Sequence, residues 1–290
     1  MSTQKTIGVI GAGSMGMAIA LNLRDRGYRV AIRDVRAEVE DQARSEALAV
    51  CTSPEEVARL ADVVVITVVN AAQTHDVLFG DQGLNAAKRK NTVILCPTIA
   101  PEDTQSIARQ LIAAGHEVLD APMSGGPARS RNGTMSLMLA GDDAVIARHQ
   151  SVLDAMSDKI FRLGARIGDG ARYKLVNNLV AGMNLIASAE AVALGVKLGL
   201  DPKLLVSLMS ASSGQSMMLE DRLPRALADD YAPRAYAYIL TKDVALGLAM
   251  AESAGVEMAM AGHALEIFKA TLARGLDELD DCAVLKTLLE

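Results

Sequence analysis

The sequence has no tryptophan and only five tyrosines and three phenylalanines among 290 residues. So few rings cannot furnish the stacking platforms that hold single-stranded nucleic acid or the aromatic belts that mark a membrane interface. Cysteine is equally scarce. Cys51, Cys96 and Cys282 are odd in number and far apart, which fits neither a disulfide framework nor a metal motif and points to a reducing cytoplasm. The four histidines, His75, His116, His149 and His263, show no ligand spacing, so no metal site is expected. Nor is there an excess of positive charge: 29 Lys and Arg stand against 35 Asp and Glu, a net charge of −6. Such a field mildly repels phosphate backbones, and nucleic acid is not an expected partner.

Membrane and export signals are missing in the same way. The stretch from Met1 to Lys5 runs into Ile7–Ile10, which Gly11 ends far short of a signal-peptide core, so no targeting segment is expected. The longest apolar run, Leu179 to Val196, carries Asn184, Glu190 and two glycines and reads as a buried helix of a cytoplasmic protein rather than a membrane span.

What is present is apolar: half of the residues are hydrophobic, enough for one large domain or two ordinary ones. Through the first half, β-branched runs alternate with helical patterns at Thr6–Ile10, Arg29–Arg33, Val63–Val68, Thr92–Cys96, Glu117–Asp120, Leu137–Ala140 and Lys159–Leu163. This alternation predicts βαβ crossovers and a mainly parallel sheet. The continuous run Val63-Val64-Val65-Ile66 suits a strand covered on both faces. Ser53-Pro54-Glu55-Glu56 has the residues of a helix start, and Gly27 and Gly115 stand where helices should end. After Leu163 the strands stop. A glycine-rich link, residues 164–170, leads into a long Ala-rich helix from about Ala171 to Leu198 and then into further helices broken at Gly199, Asp201-Pro202, Gly255 and Gly275. The expected fold is therefore α/β, with a parallel-sheet domain at 1–163 and an all-helical domain at 164–290. The apolar long helix predicts a homo-oligomer, a dimer or tetramer, formed through the helical half.

The sharpest motif is Gly11-Ala12-Gly13-Ser14-Met15-Gly16, placed between the first strand and the first helix. In a dinucleotide-binding Rossmann unit the three glycines permit the tight turn, the approach of a pyrophosphate and close helix packing, and the helix N-terminus faces the phosphates. Asp34 ends the second strand about twenty residues on, where a carboxylate accepts from the adenosine ribose hydroxyls. That favours NAD. Arg33 and Arg36 leave NADP open, although solvated surface charges explain them as well. Lys174 and Asn178 share one helix face directly after the glycine link, which reads as an interdomain hinge. Burial at a cleft mouth would suit such a lysine for proton transfer, yet on spacing alone a non-catalytic role is the commoner one. Asp120-Ala121-Pro122-Met123-Ser124-Gly125-Gly126-Pro127 offers backbone N–H groups and a hydroxyl to a carboxylate, and a plain Pro/Gly turn fits it equally.

Together, the Gly11–Gly16 loop, the Asp120–Gly126 segment with Gly133-Thr134, the run Gly168-x-Gly170-x-x-x-Lys174-x-x-x-Asn178, and Lys242-Asp243 opening a late helix resemble the β-hydroxyacid dehydrogenase family over essentially the whole chain. The resemblance implies oxidation of a small hydroxyacid by hydride transfer to a nicotinamide cofactor. It implies Lys174 as the proton-transfer lysine, Asn178 as the amide that orients substrate, and Ser124, Gly125 and Gly126 as the carboxylate cradle. It further implies Val69, Asn70 and Thr98 at the nicotinamide half of the cofactor and Lys242 beside it. Val68–Gln73, Val77–Gly80 and Asp280–Val284 are most similar to the L-threonate dehydrogenase group, which oxidises four-carbon sugar acids. 3-Hydroxyisobutyrate dehydrogenase and the tartronate or succinic semialdehyde (glyoxylate) reductases are the alternatives in the family. Met123 and Pro97 depart from the usual Val and Ser, and Ala235, followed by Tyr236, stands where some reductases have an aromatic. A nucleotide-binding regulator without turnover and a methyltransferase are the readings from other classes; the Lys174–Asn178 pair disfavours the first, and Asp34 with the helical second half disfavours the second.

Overall fold

The computed structural model describes residues 5–289. The first four residues, on which part of the targeting expectation rests, lie outside them. The chain divides into two compact units, the first ending at Lys174 and the second beginning at Leu175, with the division inside one long helix.

In the first unit β1 (Thr6–Ile10), β2 (Arg29–Arg33) and β6 (Glu117–Asp120) have the bounds expected of them, while β4 (Val63–Ile66) and β5 (Thr92–Leu95) end one or two residues earlier. Beyond Ile66 the Thr67 N–H still donates to the Ile10 carbonyl at 2.9 Å, and its hydroxyl donates to the Gly11 carbonyl at 2.7 Å. Two strands escaped the pattern, β3 (Ala49–Val50) and β7 (Met123–Ser124), because two residues show no alternation. With β8 (Ser136–Gly141) and β9 (Lys159–Arg162) they complete a nine-stranded sheet, ordered β3-β2-β1-β4-β5-β6-β8-β7 with β9 paired to β8. The strands run parallel from β3 to β6, and β6 meets β8 antiparallel. Helices α1 (Ser14–Asp25), α2 (Ala37–Ser45), α3 (Pro54–Leu60), α4 (Ala71–Phe79), α5 (Pro101–Ala113), α6 (Gly126–Asn132) and α7 (Asp143–Met156) make the connections. Val63 and Val65 lie in one apolar cluster with residues of α1 and α7, and Val64 and Ile66 in another with residues of α3 and α5. The run Val63–Ile66 is apolar throughout because both of its faces are covered. Ser53 caps α3 by accepting the Glu56 N–H at 3.1 Å. The Glu56 carboxylate, however, reaches back to Thr52 rather than closing a box on Ser53.

In the second unit the part of α8 (Asp169–Lys197) from Leu175 on, α9 (Pro202–Ser210), α10 (Met217–Leu227), α11 (Ala237–Ser253), α12 (Ala259–Ala273) and α13 (Val284–Leu289) gather around Leu185, Val244, Leu223 and Phe268. By length and composition α8 would suffice to cross a membrane, and half of its most apolar stretch is buried inside the protein. Its other face leaves Val176, Val180, Leu194 and the following Leu198 exposed, and α9 leaves Leu204 and Leu208 exposed.

Candidate active site

The sheet register brings Arg33, Ile10, Ile66, Leu95 and Asp120 into one row at the carboxyl ends of five adjacent strands. Each next segment therefore leaves the same edge: Asp34, the Gly11–Gly16 loop, Thr67–Asn70, Cys96–Thr98 and Ala121–Gly126. Strand order reverses between β1 and β4, the place where a doubly wound sheet opens a ligand crevice.

The loop is shaped for a group that needs backbone donors. Gly13 caps α1 and makes no side-chain hydrogen bond to the first-turn N–H groups, which include those of Ser14 and Met15. Ala12 is buried beneath the turn. A Cβ on Gly16 would lie 2.2 Å from the Gly11 carbonyl oxygen, so α1 can start this close to the turn only with glycine there. Beside the loop, Asp34 is buried, and its carboxylate accepts from Arg36 through the backbone N–H at 3.0 Å, Nε at 3.0 Å and Nη2 at 3.3 Å. Arg33 donates to the Asp34 backbone carbonyl and to Glu40 Oε1, the latter at 2.5 Å, and leaves the Asp34 carboxylate to Arg36. The donors and the acidic residue fit the pyrophosphate and ribose of a dinucleotide.

Of the residues expected near the nicotinamide, Asn70 is also the N-cap of α4, accepting the Gln73 N–H at 2.8 Å, and the Val69 N–H donates to Gln73 Oε1 at 2.9 Å. Thr98 is half-buried just beyond β5. Ser124 pairs with Ser136 across β7 and β8, and Gly125 and Gly126 follow at φ +133° and +74°, a turn that side chains resist. Burial pushes the Asp120 carboxyl up to about 6, against the pull of the Gly168, Ala171 and Gly170 N–H groups. Lys174, 8% exposed, lies in the second turn of α8.

In the second unit, Asn178 Nδ2 donates to Asp243 Oδ2 at 2.7 Å, and Lys242 Nζ bonds to Asp243 Oδ1 at 2.6 Å. The Asn178 oxygen accepts from Asn177 at 3.1 Å. This approach depends on close helix packing: a Cβ on Gly182 would meet Val244 at 2.7 Å, and one on Gly247 would meet Leu179 at 2.6 Å. Asp243, 3% exposed, is the partner that sequence reasoning passed over; its signal was the Lys-Asp pair itself. Lys242 does not open α11 as expected, since the helix begins five residues earlier at Ala237. Ala235 supplies no ring, but Tyr236 and Tyr238 stack at 5.3 Å where α11 begins. The Ala235 N–H and carbonyl are bound to Asp280 and Asp281.

Comparison with known proteins agrees with both halves. Residues 6–164 match the family described as the NAD binding domain of 6-phosphogluconate dehydrogenase. Residues 168–288 match the family described as NAD-binding of NADP-dependent 3-hydroxyisobutyrate dehydrogenase. The L-threonate dehydrogenase of Cupriavidus necator is 37% identical, covering 97% of this chain and 95% of its own. The mitochondrial 3-hydroxyisobutyrate dehydrogenase of Bos taurus is 30% identical over 100% of this chain and 88% of its own. The crystal structure of a 3-hydroxyisobutyrate dehydrogenase from Salmonella typhimurium superposes with a TM-score of 0.92 at 32% identity, covering 98% of this chain and all of that one. A Rossmann unit with its dinucleotide loop, a helical second half and relatives aligned from end to end leave one assignment: the chain belongs to the 3-hydroxyisobutyrate dehydrogenase-like family of NAD(P)-dependent hydroxyacid dehydrogenases.

Proposed function

We propose that the protein oxidises a four-carbon sugar acid of the L-threonate type, prefers NAD, and uses Lys174 as its general acid and base. The observation that carries the substrate class is the 37% identity to an L-threonate dehydrogenase along nearly the whole chain. The loop Gly11–Gly16 holds the pyrophosphate and Asp34 the adenosine ribose, while Val69, Asn70, Thr98 and Lys242 keep the cofactor contacts that the family implies. When bound, the nicotinamide supplies the hydride acceptor. The chain's own residues do the rest. The Ser124 hydroxyl and the N–H groups of Gly125 and Gly126 hold the substrate carboxylate, so acids are selected over uncharged alcohols. The hydroxyl proton released on oxidation passes to neutral Lys174 Nζ, and in reduction the ammonium returns it to the carbonyl oxygen. Asn178, one turn along the same helix and held by Asp243, orients the reacting hydroxyl. In this reading residues 1–163 serve the cofactor and residues 164–290 form a homodimer or homotetramer in the cytoplasm.

The test is a panel of C3 to C6 hydroxyacids, including 3-hydroxyisobutyrate and glycerate, assayed with NAD and NADP. L-threonate should give the highest kcat/KM; a clear preference for another acid rejects the substrate assignment. Lys174→Ala should lose on the order of 10²–10⁴ in kcat while NAD binding stays near normal. If Lys174→Ala and Lys174→Met keep most of kcat, the proton goes elsewhere.

A further inference from the structure

The glycine link ahead of α8 reads in the sequence as a hinge, but its far end is anchored. β6 ends at Asp120, 1% exposed, whose Oδ2 accepts the Gly168 N–H at 2.8 Å and the Ala171 N–H at 3.4 Å. The Gly170 N–H also acts on this carboxyl. Gly168 immediately precedes α8 and has no side chain with which to cap it. A carboxylate 48 residues away does so instead, taking N–H groups that a helix start otherwise leaves unpaired. The approach has no room for a side chain: a Cβ on Gly170 would lie 2.7 Å from Asp120 Oδ1 and 2.8 Å from the Met138 carbonyl oxygen. Gln105 Nε2 adds a second tie, donating to the Ile167 carbonyl at 3.0 Å.

Two consequences meet at this carboxylate. Along α8, Lys174 stands four residues past Gly170, about 6 Å along the helix axis, so the position of the first turn sets the position of its backbone. Along the other chain direction, Ser124 follows Asp120 by four residues. The intervening segment is held in place by the Ala121 N–H on the Leu95 carbonyl at 2.8 Å and the Met138 N–H on the Pro122 carbonyl at 3.0 Å.

We propose that Asp120 is a positioning residue for proton transfer: by binding the first-turn N–H groups of α8 it holds Lys174 in register with the Ser124-Gly125-Gly126 segment. The proposal rests on the reading of Lys174 as acid and base, and the spacing Gly168-x-Gly170-x-x-x-Lys174 becomes the geometric requirement of that contact. The carboxylate touches neither substrate nor cofactor in this role. Its removal should therefore act on kcat through Lys174 and leave cofactor binding alone.

The experiment is a double-mutant cycle on the full-length protein with Asp120→Asn, Lys174→Ala and the pair, comparing kcat, substrate KM and NAD affinity by fluorescence titration. Asp120→Asn should lower kcat by about 10- to 100-fold, the loss expected when a reacting group is displaced by about an ångström, with NAD affinity unchanged. In the Lys174→Ala background the same substitution should change kcat less than about twofold, because residues acting through one another are not additive. An equal fold-loss in both backgrounds, or an unchanged kcat for Asp120→Asn, overturns the proposal while the acid-base reading stands. Full kcat in Lys174→Ala alone overturns both. Should Asp120→Asn fail to fold, Gly170→Ala separates the same two groups and should reproduce the kcat loss; a folded Gly170→Ala with normal kcat rejects the proposal.

Discussion

Replacing Asp34 by alanine tests the cofactor assignment at its most specific point. In the structure its carboxylate is 6% exposed and engaged with Arg36, whose Nη2 would stand 3.0 Å from a Cβ placed on Gly13. The guanidinium thus lies between the acidic residue and the dinucleotide loop. Hydrogen bonds to a charged group contribute about 1.5–3 kcal/mol, so losing the ribose acceptor should reduce kcat/KM for NAD by roughly 10- to 150-fold. The same change removes a negative charge from the site of a 2′-phosphate and releases Arg36, whose planar fork suits that group. The two effects together should move the NAD-to-NADP ratio of kcat/KM by about 10²–10⁴. The fold should survive, because the Arg36 side chain is 45% exposed and such pairs contribute only about 1 kcal/mol or less. The assay is kcat/KM for both cofactors at one fixed hydroxyacid concentration and low ionic strength. Arg36→Ala in the Asp34→Ala background should abolish the gained NADP activity. Comparable kcat/KM for both cofactors in the unmodified protein, or an unchanged ratio in Asp34→Ala, would refute the reasoning and assign Arg33 and Arg36 to a phosphate.

The exposed apolar faces of α8 and α9 predict association. Light scattering at micromolar concentration should give a dimer or tetramer, Leu204→Glu with Leu208→Glu should weaken it, and an active monomer would defeat the idea. Burial holds His116 and His149 below the ordinary histidine range, aided by the charges of Lys90 and Lys5 respectively. The unfolded chain then takes up their protons first, so the stability each contributes is present above pH 6.5 and lost as pH falls below it, by at most about 1.4 kcal/mol per pH unit per histidine. Urea titrations from pH 7.5 to 5 should show a flatter pH dependence in a folded His116→Gln, His149→Gln variant than in the parent; identical slopes would contradict this. Burial alone would push Asp280 up, but Arg225 at 2.8 Å, the Arg234 N–H at 2.9 Å and the Arg222 charge hold it well below the carboxylate range. Asp280→Ala strands the buried Arg225 and should cost about 3–5 kcal/mol, lowering Tm by on the order of 10 °C, whereas a shift under about 2 °C in calorimetry would show that the pair contributes little.

Several features were legible without coordinates because their causes are local. A β-branched run ended by glycine, as at Thr6–Ile10, already contains strand, turn and helix start, and Asp34 follows at the end of the next strand. The helix ends at Gly27 and Gly115 show the same economy, each with φ near +90°. Where the reading failed, the signal was short or shared. β3 and β7 are too brief for a period to emerge, and the Lys242-Asp243 pair sits in an apolar helix whose first turn looks like the rest of it. Residues 164–170 look like a hinge for a related reason: glycines that permit motion and glycines that permit contact are identical in sequence.

The positions of most strands along the chain, the change from α/β to all-helical architecture and the dinucleotide loop were determined by the sequence itself, since each depends on residues within a few positions of one another. Tertiary structure alone decided which groups the buried carboxylates of Asp120 and Asp243 meet. Asp120 meets Gly168 across 48 residues and Asp243 meets Asn178 across 65, and neither pairing has a period or a motif that announces it. Both arise because glycines at 170, 182 and 247 let backbones approach to where a Cβ would collide. How near two distant segments come is set by the packing of everything between them, and only the folded chain contains that distance.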